Sequence, residues 1–149
     1  MSSLDHNIFN LAGHKYCLKL KKRSINSRFI INKLPLNFRW LGLIKLILPD
    51  ATIIHCKRHP ADTSLSIFQK FFPVYGNEYT FDLLEIAQYY NLYIDLMDYW
   101  KKLFPNSFYE IIYENLIIDQ ENQITKLLDY CKLSLDNKCF NFSSTNRVV

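Results

Sequence analysis

The stretch Ala51-Thr-Ile-Ile-His-Cys56, followed by Lys57-Arg58-His59-Pro60 and then Ala61-Asp62-Thr63-Ser64-Leu65-Ser66, decides the fold. Ala51 to Cys56 is a short apolar run rich in β-branched residues, which predicts a buried strand. Lys57-Arg58-His59 is the turn that leaves it. Pro60 has its φ preset and no N–H to lose, so it suits the first position of a helix. Positive charge is therefore gathered where a strand hands over to a helix. The same junction offers unpaired backbone N–H groups and the positive end of the helix dipole, which together suit a phosphate. It reads as half of a nucleotide site.

Toward the N-terminus, Arg28-Phe-Ile-Ile-Asn32 predicts a second buried strand, stopped at Lys33-Leu34-Pro35. From Asn37, a good capping residue, Phe38, Leu41, Ile44 and Leu48 recur at helical spacing until Pro49-Asp50 closes the segment. The product is a strand–helix–strand unit, which makes its two strands parallel. Residues 1–27 read as a separate helical segment, with a helix around Leu11 to Lys22 whose apolar stripe is ragged.

Toward the C-terminus, a helix is predicted from Pro60 to Phe72 and a turn at Gly76-Asn77. A long helix follows from about Phe81 to Phe104, capped by Thr80, with Leu83, Ala87, Tyr90, Ile94 and Met97 in helical period. Its aromatic residues follow that period and are read as core, not as a stacking platform. A third strand runs from Phe108 to Tyr113. A helix from about Gln120 to Cys131 and a shorter one after Leu135 complete the chain. Three strands separated by helices predict an α/β domain over residues 28–149, with a short parallel sheet flanked by helices. Each strand has a chemically useful residue at its carboxyl end, Lys33, Arg58 and Tyr113, and open α/β sheets bind ligands outside those ends.

Composition bounds the rest. With 149 residues and 49% hydrophobic content, the chain can enclose one core but hardly two. Its three glycines lie in no Gly-rich loop, so a glycine loop that cradles phosphate has to come from other residues. A formal charge of +4 suits anionic ligands, but no basic stripe interleaved with aromatics points to nucleic acid. The densest basic cluster, Lys19, Lys21, Lys22 and Arg23, reads as a solvated helix end. No Cys-x-x-Cys pair or apolar signal segment occurs, and reduced thiols in a cytoplasmic protein are expected. His55 and His59 straddle a strand end and a turn rather than sharing a helix face, so no metal is expected. The longest apolar stretch, Trp40 to Leu48, contains Lys45 and is too short for a bilayer, so no membrane partner is expected.

Four ordered stretches now combine: Asn32-Lys33-Leu34-Pro35-Leu36-Asn37-Phe38, Leu41-Gly42-Leu43-Ile44, His55-Cys56-Lys57-Arg58-His59-Pro60-Ala61-Asp62-Thr63 with Ser66, and Tyr113-Glu114-Asn115-Leu116. Together they resemble the sulfotransferases, in particular the bacterial ones found behind tetratricopeptide repeats and related to the protein-tyrosine sulfotransferases. The resemblance runs from about Phe9 to Arg147. It implies a partial P-loop-like sulfotransferase fold and transfer of a sulfuryl group from 3′-phosphoadenosine 5′-phosphosulfate (PAPS) to a hydroxyl or amine, with no metal.

By the same resemblance, Arg58 and Ser66 bind the 3′-phosphate, Tyr113 contacts the adenine, and Lys33 is the catalytic cation that stabilises charge on the sulfuryl oxygens and the leaving phosphate. The plain alternatives are a surface ion pair for Arg58, simple packing for Ser66 and a core role for Tyr113. Glu114 reads as a cap of the following helix. Nothing in residues 1–30 matches the loop with which the family holds the 5′-phosphosulfate, and the chain stops at Arg147-Val148-Val149, where the family continues. A C-terminal or internal fragment is therefore expected, with a second chain as one source of the missing loop. The acceptor, whether protein tyrosine, carbohydrate or small alcohol, is left open, and variable residues such as Phe71 to Tyr79 would choose it. The alternative reading is a non-catalytic module that binds 3′-phosphoadenosine nucleotides or serves protein interaction; an unrelated helical adaptor is a third.

Overall fold

In the computed structural model, which describes residues 6–23, 26–72 and 75–140, the apolar runs around Ile53 and Phe108 form strands β1 (Ile53–Lys57) and β2 (Phe108–Ile112). They pair in parallel, in register from Ile53 opposite Phe108 to Lys57 opposite Ile112. Parallel neighbours need a long crossover. Helices α3 (Pro60–Phe68) and α4 (Leu83–Leu103) supply it. Before β1 come α1 (His6–Arg23), a 3₁₀ turn (Pro35–Trp40) and α2 (Leu41–Ile47); after β2 come α5 (Tyr113–Ile118) and α6 (Gln120–Tyr130).

Alternation along the strands sets the layers. His55 on β1 meets Tyr93 of α4, and its partner Glu110 on β2 points to the same side. Tyr109, on the other side, packs its ring against Tyr130 of α6 with centroids 5.0 Å apart. The sheet is thus covered by α4 on one face and by α6 on the other. Leu41, Ile86, Met97 and Ile111 are its buried apolar residues among those described.

Two glycines mark where helices touch closely. A Cβ on Gly13 of α1 would lie 1.9 Å from the Ile47 carbonyl oxygen at the end of α2. One on Gly42 would lie 2.7 Å from the Trp100 ring of α4. That indole is fixed in turn by an Nε1–H bond of 2.9 Å to the Phe38 carbonyl.

The structure corrects several expectations. Residues 28–32 form no strand, so the sheet has two strands among the described residues, not three. A strand exists only through the backbone groups of a neighbour, and this segment is held by side chains instead. Asn32 donates its amide to the Tyr16 hydroxyl, and Asn37 donates to the Asn32 Oδ1 at 3.3 Å. Ile31 is 91% exposed. Asn37 accordingly caps nothing: it lies inside the 3₁₀ turn that Pro35 begins. The long helix is capped by Asp82, whose carboxylate accepts from Leu84 and Glu85 N–H at 2.7 and 3.0 Å. Thr80 is buried and donates to the Asn77 carbonyl. Helix α3 ends at Phe68 rather than Phe72. Part of the expected Phe71 to Tyr79 loop, and the Arg147-Val148-Val149 end, lie outside the described residues. Cys17, Cys56, Cys131 and Cys139 are free. No described helix is long and apolar enough to cross a membrane.

Candidate functional site

Because Lys57 pairs with Ile112, the next residues of the two strands, Arg58 and Tyr113, leave the sheet side by side at its carboxyl rim. The Arg58 guanidinium carbon stands 5.2 Å from the centre of the Tyr113 ring, a cation–π contact between two half-exposed side chains. One step further, the Glu114 carboxylate accepts the His59 N–H at 2.9 Å. That backbone hydrogen bond holds the carboxyl below the usual carboxylate range. Glu114 stands in the first turn of α5, where its expected capping role puts it, and the bond to His59 makes it a clamp between the exits of β1 and β2 as well.

The clamp narrows what the mouth of α3 can offer. His59 N–H is taken, Pro60 has none, and the first intrahelical bond runs from Thr63 N–H to the His59 carbonyl. The N–H groups of Ala61 and Asp62 remain as donors there. Asp62 also brings a carboxylate to 3.8 Å from the Arg58 Nη2, too long for a hydrogen bond and open to solvent on both sides. Ser66 follows Asp62 by one helical turn, so the two lie on the same face of α3. Sequence reasoning missed Asp62, whose i, i+4 spacing from Arg58 was the available signal.

Lys33 lies elsewhere. It lines a cleft between the 29–33 segment and the last turns of α1, and no contact joins it to Arg58 or Tyr113 among the described residues. The structure brings Arg58 and Tyr113 together, sets Ser66 on the adjoining helix, and places Lys33 on the wall of the cleft beside α1.

A second polar group, also unforeseen, sits under α4. His55 Nδ1 is 2.8 Å from the Glu110 Oε1, and the same oxygen takes the Lys101 ammonium at 2.8 Å. An ionised carboxylate only accepts, so His55 donates from Nδ1 and its Nε2 accepts from the Tyr93 hydroxyl. Burial lowers the His55 pKa below its ordinary 6.5 in spite of Glu110. Burial works against the Glu110 carboxylate as well, but hydrogen bonds from Lys101 and His55 outweigh it and hold that group below 4.5. Tyr93, desolvated first and then repelled by Tyr90 and Glu110, is pushed up to about 12. All the strong partners are internal, so the group pins α4 to the sheet. Among the described residues, no three His, Cys, Asp or Glu side chains are grouped so as to hold a metal ion.

Comparison with known proteins matches residues 4–137 to the model of the Sulfotransferase family. The chain belongs to the sulfotransferase family. This sulfotransferase chain is also 33% identical, over 147 residues, to an uncharacterised protein of Aquifex aeolicus (strain VF5). That match takes in 97% of the chain but 19% of the relative, so the chain spans about a fifth of the relative's length. No solved structure matches it. The matched region of the sulfotransferase chain contains the Arg58–Tyr113 rim, α3 and the Lys33 segment.

Proposed function

We propose that this sulfotransferase holds the 3′-phosphoadenosine end of PAPS at the carboxyl rim of β1 and β2, in transfer of a sulfuryl group to a hydroxyl or amine. The observation that carries the reading is the Arg58 guanidinium standing over Tyr113 at that rim, half-exposed and held by no close hydrogen bond to a carboxylate. A guanidinium can grip two phosphate oxygens at once, the Ala61 and Asp62 N–H groups face the same mouth, and Ser66 adds a hydroxyl from the same helix. The Tyr113 ring offers a surface for the adenine. When bound, PAPS supplies the sulfuryl group as an activated mixed anhydride. Lys33 would then steady negative charge on the sulfuryl oxygens, once cleft and rim face one ligand.

None of the three glycines serves a phosphate loop: Gly13 and Gly42 lie within helices and Gly76 in a turn. On this reading a glycine-built 5′-phosphosulfate loop would be supplied by residues other than these, with a second chain as one source. Losing even one donor of that kind costs about 10²–10³ in rate, so purified residues 1–149 alone are expected to transfer sulfate poorly. A second reading is nucleotide binding without catalysis, which needs only Arg58 and Tyr113 together at the rim. In either case 3′-phosphoadenosine 5′-phosphate should stabilise the folded chain, by about 2.7 kcal/mol at a hundred times its dissociation constant. Unchanged thermal unfolding of the wild type, or an equal shift for Arg58→Ala, would remove the site.

A further inference from the structure

The formal charge of +4 hides a strong asymmetry. Between residues 6 and 49 the sequence holds nine cations, Lys15, Lys19, Lys21, Lys22, Arg23, Arg28, Lys33, Arg39 and Lys45, and not one Asp or Glu. None of the nine makes an ion pair among the described residues, since every such pair involves Lys57, Arg58, Lys101 or His55. The chain folds this half so that α1 faces the extended 29–33 segment, joined through the bond from Asn32 to Tyr16. Between them is a cavity of about 500 Å³ whose walls include Lys19, Leu20, Arg23, Ile30, Ile31 and Lys33.

A helix C-terminus attracts cations by its dipole, which accounts for Lys21, Lys22 and Arg23. It does not account for Lys33, which comes from a different segment yet faces the same space as Lys19 and Arg23. Three like charges around one cleft repel one another, and a ligand bearing more than one negative charge relieves that repulsion. A cavity of this size is far larger than a sulfuryl group and falls in the range of small-molecule sites. Its Leu20 and Ile30 side chains give it an apolar side beside the cations.

We propose that this cleft binds an organic oxyanion ester with at least two negative charges, and that in the transfer reaction it receives an acceptor already carrying such a group. The proposal rests on the reading of Lys33 given above, but the cleft can be tested separately from the nucleotide site. Glucose 6-phosphate is the probe, titrated calorimetrically into the full chain, with neutral glucose and inorganic phosphate alongside. Glucose 6-phosphate is expected to bind, at least tenfold more tightly than either comparison ligand, and the double variant Lys19→Gln/Arg23→Gln is expected to lose at least tenfold.

Lys21→Gln/Lys22→Gln removes the same charge from residues outside the cleft and should leave binding within a factor of two or three. Arg58→Ala should leave it unchanged. Absence of binding, equal affinity for inorganic phosphate, or an equal loss in the Lys21/Lys22 variant would overturn the proposal. If 3′-phosphoadenosine 5′-phosphate fails to bind while glucose 6-phosphate behaves as described, the nucleotide reading fails and the cleft stands.

Discussion

At the scale of single residues, the rim depends on what a guanidinium can do that other cations cannot. Arg58→Lys keeps the charge but not the planar fork, and should weaken binding of 3′-phosphoadenosine 5′-phosphate about tenfold, as read by calorimetry. Asp62 competes for the same guanidinium from 3.8 Å. Removing its charge in Asp62→Asn should tighten that binding, by no more than about fivefold because exposed pairs are worth about 0–1 kcal/mol. The His55 group has its own signature. Folding lowers the His55 pKa, so the unfolded chain takes a proton that the folded chain refuses, and stability falls as pH drops below about 6.5. Glu110, also lowered, extends the loss below about 4.5. Tyr93 acts at the other end, where stability should fall between about pH 10 and 12. Urea midpoints measured across this range should give a dome with both edges; a midpoint flat from about pH 7 to 4 contradicts the network.

At the scale of elements, two substitutions test the docking of helices. Asp82→Ala removes the cap of α4 and should cost about 0.5–2 kcal/mol, whereas Thr80→Ala acts through a buried hydroxyl instead. Gly13→Ala sets a methyl against the Ile47 carbonyl, so α1 must move away from α2 at a cost of about 1–3 kcal/mol. Denaturant curves check both. The long helix was legible because its apolar period runs for about four turns, from Leu83 to Met97, and β1 because the basic turn and Pro60 bound it. Thr80 and Asp82 are both capping residue types two positions apart, so spacing alone could not choose between them. The Arg28 to Asn32 run has a strand's composition, but whether it pairs depends on a neighbour that local pattern does not contain. The pairing of Arg58 with Tyr113 is legible only once the register is known. Asp62 and the His55–Glu110–Tyr93 group depend on contacts across 4 to 55 positions.

At the scale of the whole molecule, a thin core supports the site. Met97 is 2% exposed, and Met97→Ala should cost about 2–5 kcal/mol, a large share of the 5–15 kcal/mol typical of a domain. Large apolar side chains are exposed along the whole chain, among them Phe29, Ile31 and Leu34 before β1, Phe81, Leu84 and Ile118 after it, and Tyr113 at the rim itself. The rim itself joins two strands far apart in the chain, so the register that folds the sheet also builds the proposed nucleotide site. The measurement that bears most directly on this account compares 3′-phosphoadenosine 5′-phosphate with adenosine 5′-phosphate, which lacks only the 3′-phosphate, on wild type and Arg58→Ala. The account predicts at least a tenfold preference for the 3′-phosphorylated nucleotide in the wild type and its disappearance in the variant. Equal affinity for the two nucleotides in the wild type, or a preference that survives loss of the guanidinium, would contradict it.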